Sequence, residues 1–170
     1  MIILYSGTPG SGKSLHMARD LYYWLRSGHV AIANFEIDVT KIKGCKGQFF
    51  YCDNERLDPD FLIEFSRRYF SNHRKREGAI RIYLDEVSLL FNARDWQRSG
   101  RNKWLSFFTQ HRKYFYDVYL VAQFDRMIDR QIRSLIEYEF IHRKASNFGL
   151  IGTLTRIFAF GKPTFICVKN

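Results

Sequence analysis

The sequence predicts an α/β fold: a mostly parallel sheet flanked by helices, with extra C-terminal antiparallel strands. Three observations predict it. The apolar run Met1-Ile2-Ile3-Leu4-Tyr5-Ser6 leads into the glycine-rich Gly7-Thr8-Pro9-Gly10-Ser11-Gly12-Lys13-Ser14 and then into a helical pattern. A second apolar run, from Ala79, ends in the adjacent carboxylates Asp85 and Glu86, and a third, from Asp117, ends in the polar Gln123. Short apolar runs bounded by turn signals read as buried strands, and ligands of open α/β sheets bind beyond the carboxyl ends of such strands.

The first element fits G-x-x-x-x-G-K-[ST], the P-loop or Walker A pattern. Its frame fits as well, because Ile2–Ser6 is rich in strand formers and Lys13 to Ser27 carries Leu15, Ala18, Leu21, Tyr22 and Leu25 at helical spacing. Gly7, Gly10 and Gly12 permit a curled backbone that approaches a ligand closely. The curled amides and the helix N-terminus then offer N–H donors and partial positive charge to phosphate oxygens. The expected phosphate-binding segment is Gly7, Thr8, Pro9, Gly10, Ser11, Gly12, Lys13, Ser14 and Leu15. Within it Lys13 reaches the β/γ-phosphates and the Ser14 hydroxyl ligates Mg²⁺. A chance glycine-rich turn is the competing explanation, and the strand-to-helix frame argues against it.

Gly28 reads as a helix stop, His29–Asn34 as a second buried strand, residues 35–47 as irregular, and Gln48–Cys52 as a short edge strand. Asp58-Pro59 is an N-cap followed by proline at the first helical position, opening a helix that carries Phe61, Leu62, Phe65 and Tyr69. That helix ends in Arg74-Lys75-Arg76, either a solvated end or a phosphate contact.

The strand Ala79–Leu84 with Asp85-Glu86 reads as a Walker B element. Asp85 is placed to hold Mg²⁺ through water, and Glu86 to polarise the water that attacks the γ-phosphorus. A glutamate beside the metal-binding aspartate points to water as acceptor, and so to hydrolysis. Residues 91–103 form a polar loop with Arg94, Arg98, Arg101, Lys103 and Trp96, which reads first as a mobile surface loop and second as a contact for single-stranded nucleic acid. Trp104, Phe107 and Phe108 open a helix to about Tyr114. Gln123 is placed to sense the γ-phosphate or position water, or else to cap a helix. Ile128–Leu135 reads as a short helix whose Arg130 and Arg133 are either charge-stabilising contacts or surface ion-pair partners. Glu137–Arg143, Leu154–Phe160 and Pro163–Val168 are β-rich, with turns at 147–149 and 161–163, and are expected to extend the sheet as antiparallel or hairpin strands. No helical lid follows, so a plain RecA-like core is the expected architecture, a single P-loop NTPase domain over residues 1–170.

Composition sets limits on function. At 170 residues and 46% hydrophobic, the chain can bury a core and is not disordered. The net charge of +10 favours anionic partners: nucleic acid, phosphates or a membrane surface. Cys45, Cys52 and Cys167 form no C-x-x-C pair and read as free thiols, not as a disulfide framework or zinc site. The chain enters its first strand directly, so no signal peptide is expected, and no apolar run approaches the length of a membrane span.

Taken together, the P-loop, Leu84-Asp85-Glu86, Gln110-His111-Arg112 followed by Asp117-Val118 and Gln123, then Ile132-Arg133 with His142 and Arg143, resemble the zonular occludens toxin family. This is the family of filamentous-phage assembly ATPases, and the resemblance covers essentially the whole chain. The family often has a second histidine and a glycine where this chain has Lys113 and Phe115. The resemblance implies a Mg²⁺-dependent ATPase domain on the cytoplasmic face of the bacterial host inner membrane, powering virion assembly and export with its single-stranded DNA. It implies a transmembrane helix and periplasmic part beyond this domain, other phage assembly proteins as partners, and a homo-oligomer, hexameric rings being common among related motors. Arg112 or Arg133 would then act as a finger between subunits. The rival expectations are a P-loop nucleotide or small-molecule kinase, and a non-hydrolysing adaptor for phage protein or DNA.

Overall fold

Four helices and seven strands make up the described part of the chain. The computed structural model describes residues 1–91, 100–145 and 165–170. The strands are β1 (Ile2–Gly7), β2 (Val30–Ala33), β3 (Gln48–Tyr51), β4 (Ile80–Leu84), β5 (Tyr116–Val121), β6 (Tyr138–Lys144) and β7 (Phe165–Lys169). The helices are α1 (Lys13–Arg26), α2 (Pro59–Asn72), α3 (Arg101–Gln110) and the single turn α4 (Arg130–Arg133). The strands form one sheet in the order β3-β2-β4-β5-β1-β6-β7.

All pairings are parallel except β6–β7. The expected antiparallel extension is thus carried by β7, whereas β6 runs parallel to β1, in a register that sets Ile3 opposite Tyr138 and Gly7 opposite His142. The physical reason is the link before β6. It folds as α4 and returns the chain to the amino edge, where Glu137 N–H donates to the Ile2 carbonyl (2.9 Å) before β6 begins. The expected strand at 154–160, both expected turns at 147–149 and 161–163, and Arg94, Trp96 and Arg98 lie outside the described residues.

The central strands are apolar on both faces, as strands covered on two sides must be. Successive side chains alternate between two cores. Ile2, Leu4, Ile32, Ile82, Leu84, Val118 and Leu120 pack with Leu62 and Phe70 of α2 and Trp104, Phe107 and Phe108 of α3. Ile3, Tyr5, Ala31, Ala33, Tyr83, Tyr119 and Val121 pack with Met17, Leu21 and Leu25 of α1. The buried stripe of α1 is therefore Lys13-Met17-Leu21-Leu25, four residues apart. Leu15, expected on that face, is 63% exposed. The phase is set by Lys13, whose side chain turns into the preceding loop at the first helical position, so its i+4 successors follow it inward.

Asp58 caps α2 by accepting from the Phe61 N–H (2.7 Å), with Pro59 at the first position. The helix stops at Asn72, so Arg74-Lys75-Arg76 lies beyond it and not in its last turn. α3 begins at Arg101, and after Gln110 the chain tightens into a 3₁₀ turn, His111–Tyr114, closed by Phe115 in the left-handed region (φ 64°). No helix among the described residues is long and apolar enough to cross a membrane.

Candidate phosphate-binding site

Because β1, β4 and β5 are parallel, their carboxyl ends reach the same edge of the sheet. β5 lies between the other two. The loop after β1, the acids after β4 and Gln123 after β5 therefore converge, and together they line a cleft of about 360 Å³.

The loop after β1 is curled by its glycines. Gly7, Gly10 and Gly12 have φ of 138°, 67° and 92°, all in the left-handed region that only glycine enters at low cost. Gly7 is further restricted by space. A Cβ there would lie 2.1 Å from the His142 carbonyl oxygen of β6. Ser11 N–H donates to the Thr8 carbonyl (3.2 Å), and Gly7 N–H to the Gln123 carbonyl (3.1 Å), so the loop is tied across to the end of β5. The Ser11 hydroxyl is buried with no hydrogen-bond partner among the described residues.

Lys13 lies over this loop. Its Nζ donates to the carbonyls of Gly7 (2.7 Å) and Thr8 (3.1 Å). Burial pulls the ammonium below the usual lysine value, against the opposing pull of the Asp85 charge. Beside it the Ser14 hydroxyl donates to Asp85 Oδ2 (3.0 Å). A hydroxyl and a carboxylate oxygen in contact, next to a cradle of backbone amides, are the oxygen donors a hard divalent cation such as Mg²⁺ takes. Ser14 and Asp85 thus fit that ion.

The acids are fixed by their backbone. Asn34, at the end of β2, donates through Nδ2 to the Asp85 carbonyl (2.9 Å) and accepts through Oδ1 from the Asp85 N–H (2.8 Å). Asp85 Oδ1 in turn accepts from the Glu86 N–H (2.8 Å). Val87 then returns to the core, fully buried, and its N–H donates to the Val121 carbonyl (3.0 Å). Between these two anchors Glu86 sits in the left-handed region (φ 49°) with its side chain exposed along the cleft. For a residue with a side chain such a conformation costs on the order of 1–3 kcal/mol and persists only when both flanks are held.

The structure thus brings Lys13, Ser14, Asp85, Glu86 and Gln123 to one cleft, lined also by Pro9 and Gly10. It does not bring the two candidate arginines there within one chain. Arg112 sits at the amino edge of the sheet, just before β5, and donates to Glu137 Oε2 (2.6 Å). Arg133 donates to Asp125 Oδ2 (3.2 Å). Neither lines the cleft.

Two contributors escaped the sequence. Asn34 was visible only as the last residue of a strand, yet a polar residue at a strand's carboxyl end is the cue that singled out Gln123. Lys144, the last residue of β6, lies against the loop: a Cβ on Gly10 would come within 3.1 Å of its Nζ. That placement depends on β6 being parallel to β1, which its own sequence does not show.

The family model for zonular occludens toxin (Zot) matches residues 1–165. The chain belongs to this family. Among curated proteins, Gene 1 protein of Enterobacteria phage I2-2 is 24% identical over 168 residues, covering 95% of this chain and 46% of that protein. The chain thus spans about half the length of this curated relative. Among solved structures, the N-terminal domain of zonular occludens toxin from Neisseria meningitidis superposes with a TM-score of 0.54 at 17% identity, covering 98% of this chain and 92% of that one. The genome packaging NTPase B204 from Sulfolobus turreted icosahedral virus 2, solved in complex with ATP-gammaS, gives 0.57 at 12% identity over 98% of this chain and 90% of that one. This chain therefore shares the fold of P-loop NTPases.

Proposed function

We propose that this chain is a Mg²⁺-dependent ATP-hydrolysing motor domain that works in filamentous phage assembly and export at the cytoplasmic face of the host inner membrane. The observation that carries the reading is the meeting of Lys13, Ser14, Asp85 and Glu86 in one cleft. Family membership, a phage relative and an ATP-gammaS-bound neighbour of the same fold support it.

In this reading the loop amides of residues 7–14 receive the triphosphate, and Lys13 exchanges its two carbonyl partners for β/γ-phosphate oxygens. Ser14 and Asp85 would hold Mg²⁺, which would neutralise phosphate charge. Glu86 accepts a proton from a water molecule as its oxygen bonds to the γ-phosphorus, and the bond between that phosphorus and the β–γ bridging oxygen breaks, giving ADP and phosphate. Gln123 orients the water. Leu15, one residue further on, faces solvent and contributes its backbone N–H at the helix start. Arg112 or Arg133, tied to carboxylates at a distance from their own cleft, act on a neighbouring subunit of a homo-oligomer. Single-stranded phage DNA and other assembly proteins are the partners of the basic surface, and a membrane segment elsewhere in the full-length protein anchors the domain.

The test is phosphate release with ATP and Mg²⁺ and no added acceptor. The motor reading expects turnover that Lys13→Ala abolishes together with nucleotide binding. Tight ATP binding with idle turnover until an acceptor is supplied would favour a kinase instead. Binding of phage protein or DNA unaffected by nucleotide, with no hydrolysis in any oligomeric state, would favour an adaptor.

A further inference from the structure

Beside the loop, on the face of the sheet covered by α1, three side chains from three elements converge. His16 comes from the first turn of α1, His142 from β6 and Cys167 from β7. His16 Nδ1 and His142 Nε2 are 2.8 Å apart, and Cys167 Sγ lies 3.8 Å from His16 Nδ1. One ligand atom from each falls within 4.8 Å of the others. We propose that His16 Nδ1, His142 Nε2 and Cys167 Sγ bind a borderline-soft divalent ion of the Zn²⁺ class, with solvent completing the coordination.

The geometry of each ligand argues for this. His142 is 2% exposed, and its Nδ1 faces the carbonyls of Phe140 (2.8 Å) and Ser6 (3.3 Å). Two carbonyls can only accept, so Nδ1 carries the proton and Nε2 carries the lone pair, aimed at His16. A metal-binding histidine is oriented in just this way, its far nitrogen donating to a backbone carbonyl. His16 is held by stacking on Tyr5, with ring centroids 4.7 Å apart and planes 17° apart. A tetrahedral ion with nitrogen bonds of about 2.0 Å and a sulfur bond of about 2.3 Å sets its ligands roughly 3.3–3.6 Å apart. The site reaches this by opening the histidine pair by about half an ångström and drawing the thiol toward His142 by about an ångström.

The proton count closes. Without the ion, the His16 proton sits on Nδ1 and bridges to His142. On binding it resides on Nε2, the Cys167 thiol loses its proton to solvent, and two neutral imidazoles and one thiolate face the ion. The set of two imidazoles and one thiolate favours Zn²⁺ and its neighbours over Mg²⁺ or Ca²⁺, which take oxygen ligands. It is therefore distinct from the Ser14–Asp85 pair.

The consequence is structural. His16 follows Lys13 by less than one helical turn, and β7 contributes Phe165, whose ring a Gly12 Cβ would meet at 2.8 Å. An ion at this point joins the helix that begins at Lys13 to the two C-terminal strands.

The test is titration of the purified chain with Co²⁺, followed by competition with Zn²⁺. The expected result is one equivalent bound, with a thiolate-to-cobalt charge-transfer band and the visible absorption of a four-coordinate ion, both removed by Zn²⁺. Cys167→Ser, at an exposed position, should abolish the charge-transfer band, and His16→Gln should weaken Zn²⁺ binding roughly tenfold or more. Cys45→Ser should leave both unchanged. Absence of the band in the parent chain, its survival in Cys167→Ser, or its loss in Cys45→Ser instead would overturn the assignment. Circular dichroism of each variant separates loss of a ligand from loss of fold.

Discussion

Glu86, like Phe115, holds a left-handed backbone without being glycine, and it does so on the cleft. The anchors on either side, Asp85 to Asn34 and Val87 to Val121, hold it there and leave its carboxylate on the cleft. If that carboxylate takes the proton of the attacking water, Glu86→Gln should bind ATP as before and lower kcat by about 10²–10⁴-fold. Equal turnover by the variant would remove Glu86 from the mechanism. Asn34 acts one step back, as a positioning residue that clamps both backbone groups of Asp85. Asn34→Ala should reduce turnover by roughly 10–100-fold and raise the Mg²⁺ concentration needed for half activity. An unchanged Mg²⁺ dependence would show that Asp85 is held without it. At this scale the sequence was informative where chemistry and position coincide. Lys13, Ser14, Asp85 and Glu86 sit in motifs, whereas Asn34 is recognisable only once β2 is known to neighbour β4.

Among the elements, strand identity was readable because central parallel strands need apolar side chains on both faces. Val30–Ala33 provides them as an unbroken run, and Ile80–Leu84 and Tyr116–Val121 with one charged residue each, Arg81 and Asp117. Order and direction were not readable, because nothing in the Tyr138–Lys144 stretch itself states which edge of β1 it meets. That pairing has a measurable cost if disturbed. Gly7 stands opposite His142 in the register, and no Cβ fits between them. Gly7→Ala should destabilise the fold by about 3 kcal/mol, read as a lower midpoint in urea unfolding, by forcing β6 away from β1 and straining a left-handed backbone. A midpoint equal to the parent's would mean that β6 yields freely. The phase of α1 shows the same limit in small. Leu15 and Ala18 match a helical spacing, but the stripe that is buried follows Lys13.

For the molecule as a whole, the two candidate finger arginines are spent locally on Glu137 and Asp125, apart from their own cleft. If either arginine completes a neighbouring subunit's site, as proposed, activity requires association. Specific ATPase activity should rise steeply with protein concentration, and Arg112→Ala or Arg133→Ala should flatten that rise. A specific activity constant over dilution would show that each chain is sufficient alone. The net charge of +10 adds a second expectation at this scale. Binding to single-stranded DNA should weaken steeply as salt rises, since neutralising phosphates releases counterions. Neither the interface nor the partner is written in one chain's pattern of apolar and polar residues, because both depend on surfaces that only a second molecule covers.

The place of β5 between β1 and β4 has a mechanical corollary. Its last residue holds the acid turn through the Val121 carbonyl on Val87, and Gln123, two residues beyond its end, holds the other loop through its carbonyl on Gly7. A small axial slide of this one rail would carry the glycine-rich loop and the acid turn in step, so a tug at either rim of the cleft would be felt at the opposite rim without passing through solvent.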